Sequence, residues 1–217
     1  MARTIEETTA WVAQTMAKKQ GVLGVEKVGE RSIRISREDY PPYVAGIVSK
    51  LSVSAQDVRD VLASDPTVDI VINVPSHGIW TGSAIEVTRA AGVAFGGMGD
   101  LQSCIAKEDP RAYVKSEFAF IERALRQHTK VSGITREADR LFLVHRHGAG
   151  DVRVLALYEY ELTGEHLRTA RERYSRFDLV LISNPNGKPT GGAKSVAEEL
   201  QVETYMLGGL LGRLNRP

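Results

Sequence analysis

Apolar residues follow two kinds of spacing along this chain, and the same succession occurs twice. Residues 5–18 and about 110–128 place apolar side chains three and four positions apart, which predicts an amphipathic helix at each place. Three shorter apolar runs follow each helix and predict strands. They read "GVEKV", "RSIRIS" and "YVAGIVSKLSV" in the first half, and "KVSGIT", "RLFLVHR" and "VRVLALYEYEL" in the second.

The rest of each half predicts a second and a third helix around a buried strand. Ser54 and Thr163 suit the N-cap of the second helix, and Thr81 and Thr190 suit that of the third. The buried strand is "DIVINV" or "DLVLIS", and a short strand ("VAF" or "ETYM") precedes a last apolar helix. Because strands joined through helices pair in parallel, we expect an α/β fold with mixed sheets and the order α-β-β-β-α-β-α-β-α.

An internal repeat organises this pattern. Sliding the sequence by 109 positions aligns its two halves without a gap. Identical residues at this offset include Arg31 and Arg140, Asp69 and Asp178, Val71 and Val180, Gly78 and Gly187, Thr81 and Thr190, Ala84 and Ala193, and Gly99 and Gly208. One offset over so much of the chain predicts a tandem duplication, with repeats at 1–108 and 109–217 and "AKEDPRAY" at their junction.

Composition narrows the class of protein. The chain has 42% apolar and 25% charged residues and a net charge of +1, as in an ordinary globular protein. The single cysteine, Cys104, excludes an intrachain disulfide framework and an all-cysteine metal site, and we expect it to be a buried thiol. The first residues lack the apolar core of a signal peptide, and no stretch approaches the ~18 apolar residues of a membrane span. We therefore expect a cytoplasmic protein that does not enter a membrane.

The glycine-rich stretch "NPNGKPTGGAKS", residues 184–195, resembles a phosphate-binding loop but has the wrong register. Lys194 follows Ala193 instead of a glycine, so it would point away from a bound triphosphate. The matching stretch "VPSHGIWTGSAI" indicates a strand-to-helix turn that occurs in both halves. A nucleotide-sensing role for residues 184–195 remains one alternative. Lys188 and Lys194, absent from the first copy, could instead meet a nucleic-acid phosphate at a helix N-terminus.

The element order and the motifs around the second helix resemble the restriction endonuclease-like, or PD-(D/E)XK, superfamily, and most closely its Mrr-type branch. The motifs are "KLSVSAQDVRDVL", "VDIVINV" and "GIWTGSAIEV" in the first copy, and "YELTGEHLRTA", "FDLVLIS" and "GKPTGGAKSV" in the second. The resemblance implies a nuclease fold in which an Asp near strand 2 and a Glu or Gln on strand 3 hold Mg²⁺. It also implies a Lys two residues further on that orients the attacking water.

Each copy has only part of that catalytic set. In the second copy Asp139 opens the second strand, and Glu159 and Glu161 lie on the third, without the lysine. Mg²⁺ would there be held by Asp139, Asp151 and Glu159. In the first copy Lys50 takes the place of Glu159. The candidate catalytic residues are therefore Asp139, Glu159, Glu161 and Lys50, and the alternative is that "YEYELT" is the solvated face of an edge strand.

Basic residues are concentrated in the second copy. Residues 1–108 have 11 Lys and Arg against 13 Asp and Glu, whereas residues 109–217 have 17 against 14. The candidate residues for binding a phosphate backbone are Arg168, Arg171, Arg173, Lys188 and Lys194. Alternatively, Glu165 and Glu172 pair with arginines on the same helix. His145 and His147, two apart on a strand, suit either a metal site or an exposed hairpin.

Two classes of function follow from these observations. The first is a nucleic-acid-associated protein with DNA as its partner, either a divergent Mg²⁺-dependent nuclease or a catalytically inactive relative. The second is a non-enzymatic interaction or assembly module that binds another protein or a second copy of the chain. A ligand held between the two halves would also fit a duplicated scaffold.

Overall fold

The computed structural model describes residues 3–216, and Met1, Ala2 and Pro217 of the predicted repeats lie outside the described residues. The chain divides into two compact units between Lys115 and Ser116, later than the predicted boundary after residue 108. Residues 109–115 belong to the first unit because their side chains bind there. Arg111 Nε donates to Asp69 Oδ1 at 2.8 Å, and the Tyr113 hydroxyl donates to Asp100 Oδ1 at 2.9 Å.

The first unit is a mixed five-stranded sheet with helices on both faces. Its helices are α1 (Ile5–Met16), α2 (Ala55–Ser64), α3 (Gly82–Ala90), α4 (Met98–Ser103) and a 3₁₀ turn, Cys104–Ala106. Its strands are β1 (Val22–Lys27), β2 (Ser32–Arg37), β3 (Tyr43–Val48), β4 (Ser52–Val53), β5 (Ile70–Asn73), β6 (Ile79–Trp80) and β7 (Ala94–Gly96). The sheet order is β1-β2-β3-β5-β7, and β4 pairs separately with β6.

The second unit has the corresponding elements in the same order. Its helices are α5 (Ser116–Arg126), α6 (Gly164–Tyr174), α7 (Gly191–Glu199) and α8 (Leu207–Leu214). Its strands are β8 (Val131–Arg136), β9 (Leu141–Arg146), β10 (Val152–Leu157), β11 (Glu161–Leu162), β12 (Leu179–Ile182), β13 (Lys188–Pro189) and β14 (Glu203–Tyr205). The sheet order is β14-β12-β10-β9-β8, and β11 pairs with β13.

Strand direction is as the sequence predicts. The first three strands of each unit form an antiparallel meander, and the strands reached through helices are parallel to the third. The predicted runs 43–53 and 152–162 are each broken into two strands. The chain leaves the main sheet after Val48 or Leu157, and its next residues pair with β6 or β13 instead.

Apolar cores lie on both faces of the first sheet. Val12 of α1 and Leu101 of α4 pack on one face, together with Cys104, which is buried as expected. Val58 of α2 and Ile85 of α3 pack on the other face. In the second unit, α5 and α8 cover the face that includes Phe142 and Val154.

Several buried polar contacts recur at the 109-residue offset. Asp69 Oδ2 accepts from the backbone N–H of Val44, and Asp178 Oδ2 accepts from that of Arg153, both at 2.8 Å. Nε of the buried Arg37 donates to the carbonyl of Pro41 at 2.8 Å. Its counterpart Arg146 donates to the carbonyl of Gly150 at 2.7 Å. Two sheets of the same plan, held by matched contacts, suggest a duplicated unit.

The predicted N-caps are confirmed at all four helices. Ser54 and Thr163 cap α2 and α6, and Thr81 and Thr190 cap α3 and α7. The first helix ends at Met16, before the predicted residue 18. The helix predicted over 110–128 begins only at Ser116, because residues 109–113 turn back onto the first unit. Within residues 3–216, every helix is too short or too polar to cross a bilayer.

Candidate functional site

In the first unit, Lys50 lies two residues beyond the end of β3, and a buried amide fixes its backbone there. Asn73 Oδ1 accepts from the N–H of Lys50 at 3.0 Å, and Asn73 Nδ2 donates to its carbonyl at 2.9 Å. Asn73 ends β5, the parallel neighbour of β3, and its side chain is buried. The lysine is therefore held at the end of the sheet by a two-point contact.

In each unit, a glycine lies close to the backbone just beyond the end of the third strand. A Cβ on Gly78 would lie 2.7 Å from the carbonyl oxygen of Lys50, and one on Gly187 would lie 2.4 Å from that of Glu159. Neither glycine is among the residues with a positive φ. The repeated glycine is therefore explained by close backbone approach.

A cleft of about 310 Å³ opens beside Lys50. Its lining includes three cationic side chains, of Arg3, Arg31 and Lys50. Arg31 comes directly before β2, and its carbonyl accepts from the N–H of Ile47 on β3 at 2.8 Å. Arg3 precedes the N-cap of α1 and lies 5.5 Å from the ring centroid of Trp11. Three different segments therefore bring positive charge to one concave surface.

Two carboxylates also line the cleft, and both are engaged with their own helix. Asp57 Oδ2 accepts from the N–H and the hydroxyl of Ser54 at 2.8 and 2.6 Å, as part of the capping box of α2. Burial raises the pKa of Asp57, but these hydrogen bonds and the charges of Lys50 and Arg31 outweigh it and hold the pKa below its usual value. Asp60 Oδ1 accepts from Gln56 Nε2 at 2.7 Å.

The cations are less engaged than the carboxylates. Lys50 Nζ lies 3.9 Å from Asp57 Oδ1, at the limit of an ion pair, and its side chain is 59% exposed. The guanidinium of Arg31 makes no hydrogen bond or ion pair with another residue in the described range 3–216. The cleft can therefore receive an anion without first breaking a strong internal pair.

The equivalent arginine of the second unit is neutralised. Arg140 Nη1 donates to Glu117 Oε1 at 3.0 Å and to the carbonyl of Ala156 at 3.1 Å. The hydroxyl of Ser183 donates to the same Glu117 oxygen at 2.6 Å. Only 6% of the Glu117 side chain is exposed. The position that faces a cleft in the first unit is thus part of a buried polar cluster in the second.

Asp139 lies beside this cluster. Its Oδ1 accepts from the hydroxyl of Tyr174 at 3.2 Å, and its backbone carbonyl accepts from Arg136 Nε at 3.1 Å. Burial raises the pKa of Asp139 above its usual value, although Arg140, Tyr174 and Arg136 act against the shift. Burial and the nearby Asp139 also raise the pKa of Tyr174. Its burial therefore acts against the charged form of this carboxyl.

The carboxylates predicted to hold Mg²⁺ are not brought together. Asp139 lies before the start of β9, whereas Asp151 follows the hairpin at its other end, roughly 20 Å away for a six-residue strand. Asp151 Oδ2 pairs with His145 Nδ1 at 2.7 Å, and Glu159 Oε2 lies 3.9 Å from His166 Nδ1. Within residues 3–216 there is no group of three or more potential metal-ligating side chains. The three carboxylates do not fit one Mg²⁺ site together, because Asp151 lies a strand length from Asp139 and is paired with His145.

Most of the other predicted site residues have local partners. Glu161 Oε1 lies 3.8 Å from Lys188 Nζ, which joins one predicted catalytic residue to one predicted phosphate contact. Arg168 Nη2 lies 3.4 Å from Glu199 Oε2, and Arg171 Nη2 donates to the carbonyl of Leu200 at 2.9 Å. Arg173 lies over the ring of Tyr174, 5.5 Å from its centroid. Lys194 is exposed in the first turn of α7. The structure therefore gives these basic residues varied local roles.

Sequence reasoning found Lys50 but missed most of its surroundings. The pair Arg31 and Arg140 was visible at the 109-residue offset and marks the same place in both units. Glu117 and Ser183 carried no such signal, because their counterparts are Thr8 and Val74. Comparison of the chain with models of protein families, with curated proteins and with solved structures gives no match.

Proposed function

We propose that the chain is a non-cutting nucleic-acid-binding protein whose units are relatives of restriction endonuclease-like domains. The helix, the antiparallel meander and the parallel strand reached through a second helix agree in order with the core of that superfamily. The proposal extends the resemblance seen in the sequence motifs. It favours an inactive relative over a nuclease because the predicted metal ligands do not converge.

The observation that carries the proposal is the cationic cleft of the first unit. Arg3, Arg31 and Lys50 line it at the sheet end where a nuclease of this superfamily would hold its metal. Guanidinium and ammonium groups bind phosphate oxygens directly, whereas carboxylates need a bridging cation to do so. A change from carboxylates to cations at this place would convert metal-assisted cleavage into direct binding of the phosphodiester backbone.

Binding is tested by fluorescence anisotropy with labelled double-stranded and single-stranded DNA over a series of salt concentrations. We expect affinity to fall steeply with salt, since phosphate contacts release counterions. The variant Arg31→Gln with Lys50→Gln removes two contacts and should lower the magnitude of the logarithmic salt slope by about 2 on duplex DNA. A charge-matched control is Lys18→Gln with Lys19→Gln, beyond the other end of α1.

The outcomes separate the parts of the proposal. Loss of affinity in the cleft variant but not in the control supports binding at the cleft. Equal losses in both variants would move the binding surface elsewhere, and no salt-dependent binding at all would exclude the function. Incubation of each DNA with Mg²⁺ or Mn²⁺ should leave it intact, and cleavage that Lys50→Gln abolishes would restore the nuclease hypothesis.

A further inference from the structure

A second polar arrangement lies on the second unit, away from Arg140 and Glu117. Thr135 Oγ1 lies 3.0 Å from His145 Nε2, and His145 Nδ1 lies 2.7 Å from Asp151 Oδ2. A hydroxyl, an imidazole and a carboxylate are thus joined in series by two hydrogen bonds. This is the arrangement by which a weak nucleophile is joined to a base and the base to an orienting acid.

The chemistry of the groups fixes the direction of both bonds. An ionised carboxylate can only accept a hydrogen bond, so Nδ1 of His145 must donate to Asp151. In a neutral imidazole the other nitrogen, Nε2, then carries only a lone pair and accepts from the hydroxyl of Thr135. Asp151 therefore selects the tautomer in which His145 can take a proton from Thr135.

The three groups are open to solvent. Ile134 and Val144 face the core formed with α5 and α8, so Thr135 and His145, their neighbours along β8 and β9, point to the opposite face of the sheet. Thr135 is exposed, and 35% of the His145 side chain and 47% of the Asp151 side chain are accessible. Gly133, opposite His145 in the strand register, adds no side chain above the ring. A substrate can reach the hydroxyl without any movement of the protein.

We propose that Thr135 is an activated hydroxyl that accepts acyl groups from activated esters, with His145 as its base and Asp151 as the residue that positions His145. Thr135 Oγ1 forms a bond to the acyl carbon while its proton passes to His145 Nε2. The ester C–O bond then breaks, and the leaving alcohol takes that proton. Water attacks the resulting acyl-threonine in the same manner, which releases the carboxylic acid and restores the hydroxyl.

The arrangement is particular to the second unit. The positions that correspond to Thr135, His145 and Asp151 at the 109-residue offset hold Glu26, Ser36 and Pro42. Glu26 there lies 3.9 Å from Arg34 in an exposed ion pair. The proposed site shares no residue with the cationic cleft, so the proposal does not depend on nucleic-acid binding.

The test uses the full chain with two probes, p-nitrophenyl acetate and a fluorophosphonate. The fluorophosphonate should form a stable phosphonyl ester on Thr135 with loss of fluoride, and peptide mass spectrometry identifies the residue. Thr135→Val should abolish this adduct, and Thr135→Ser should retain it. His145→Gln should slow adduct formation and p-nitrophenolate release by roughly 100-fold, and Asp151→Asn by less, because it positions the base without touching the substrate.

His147→Gln is the matched control, since His147 is exposed on the same hairpin and lies outside the hydrogen-bonded series. It should react at the rate of the unmodified protein. Adducts only on lysines or on His147, with Thr135 unmodified, would overturn the proposal. An adduct on Thr135 that forms equally fast in His145→Gln would also overturn it, because the hydroxyl would then not depend on the imidazole. Circular dichroism of each variant checks that the sheet remains folded.

Discussion

Arg140 and Glu117 form an ion pair at 3.0 Å whose side chains are only 22% and 6% exposed. Arg31, which occupies the position of Arg140 in the first unit, lines an open cleft instead. The difference arises from the first helix of each unit, because Glu117 of α5 corresponds to Thr8 of α1. Thr8 donates its hydroxyl to the carbonyl of Thr4 at 2.8 Å, within its own helix, and so offers Arg31 no carboxylate in the place of Glu117.

Removing Glu117 should destabilise the second unit. Glu117→Leu leaves the partly buried Arg140 without its counter-charge and Ser183 without its acceptor, so we expect a loss of about 3 kcal/mol. Glu117→Leu combined with Arg140→Met should recover most of it, since replacing both members of a buried pair by apolar residues is often neutral. The measurement is urea unfolding followed by circular dichroism.

The two tryptophans provide an internal control for that experiment. Trp11 and Trp80 both lie in the first unit, so tryptophan fluorescence reports on that unit alone. Its transition should not shift in Glu117→Leu. Glu199→Gln, which breaks the exposed pair with Arg168, should change stability by less than about 1 kcal/mol. A loss as small as this in Glu117→Leu would show that the buried pair contributes little.

Asp139 should make the second unit less stable as pH rises. Burial raises its pKa in the folded protein, whereas the unfolded chain ionises near the ordinary value of about 3.9. The folded state therefore holds the proton more strongly, and stability falls as pH rises from that ordinary value through the raised one. Asp139→Asn should stabilise the unit at neutral pH and lose this advantage below about pH 4.

Unfolding of Asp139→Asn across this pH range, compared with the unmodified protein, gives the difference directly. Glu165→Gln is the control, because Glu165 is exposed on α6 and should give a difference that does not follow the same course. If Asp139→Asn is less stable at neutral pH than at acid pH, relative to the unmodified protein, the carboxylate is required in its charged form.

Thr81 and Thr190 each hold two elements together, so their hydroxyls should be worth more than an ordinary cap. Thr81 Oγ1 accepts from the N–H of Ala84 at 3.3 Å and donates to the carbonyl of Val53 at 2.8 Å. Thr190 makes the equivalent pair of bonds, at 3.2 and 3.0 Å. Thr→Val at either position should cost about 2 kcal/mol in urea unfolding, and Thr→Ser much less.

Tryptophan fluorescence assigns each cost to one unit. Thr81→Val should shift the fluorescence transition, whereas Thr190→Val should shift only the part of the circular dichroism transition that fluorescence does not follow. Ser195→Ala, which removes an exposed hydroxyl from the same helix as Thr190, should change neither. Equal effects of Thr→Ser and Thr→Val would mean that shape, and not hydrogen bonding, decides the preference for threonine.

The order of elements and the N-caps could be predicted because they depend on local periodicity and on hydroxyls next to helix starts. The break of the run 43–53 could not, since Leu51 and Val53 continue the alternation that is typical of a strand. The chain leaves the sheet there because residues 52–53 pair with β6, a contact across more than twenty residues. The strand β6 could be predicted only together with its partner, β4.

The candidate site was less predictable than the fold. The carboxylates Asp139, Asp151 and Glu159 are close in sequence, but an antiparallel hairpin separates Asp151 from the other two by the length of a strand. Arg31 and Lys50 of the cleft are 19 residues apart, and Glu117 and Arg140 are 23 apart. Strand pairing brings the first two to one cleft, and packing of α5 on the sheet brings the second two together. The sequence shows which side chains carry charge, but it does not show which of them meet at one place in the fold.

Gly46 should be intolerant of even the smallest side chain. It lies on β3 beneath α2, and a Cβ there would come within 2.3 Å of Val61 Cγ1. Gly46→Ala should push α2 away from the sheet, with a cost of about 1–3 kcal/mol, and should displace Asp57 and Asp60 at the edge of the cleft. The measurement is urea unfolding followed by tryptophan fluorescence.

A second substitution tests the cause. Val61→Ala removes the methyl groups that Gly46→Ala would contact, so the double variant should be more stable than the sum of the two single losses predicts. Gly24→Ala on β1 is the matched control, since a Cβ there meets nothing within 4 Å, and its stability should be unchanged or slightly higher. Strictly additive losses would mean that the backbone conformation at Gly46, and not its contact with Val61, requires glycine. Non-additive losses would show instead that close contact between β3 and α2 sets the position of α2. That contact would then also set the positions of Asp57 and Asp60 in the cleft.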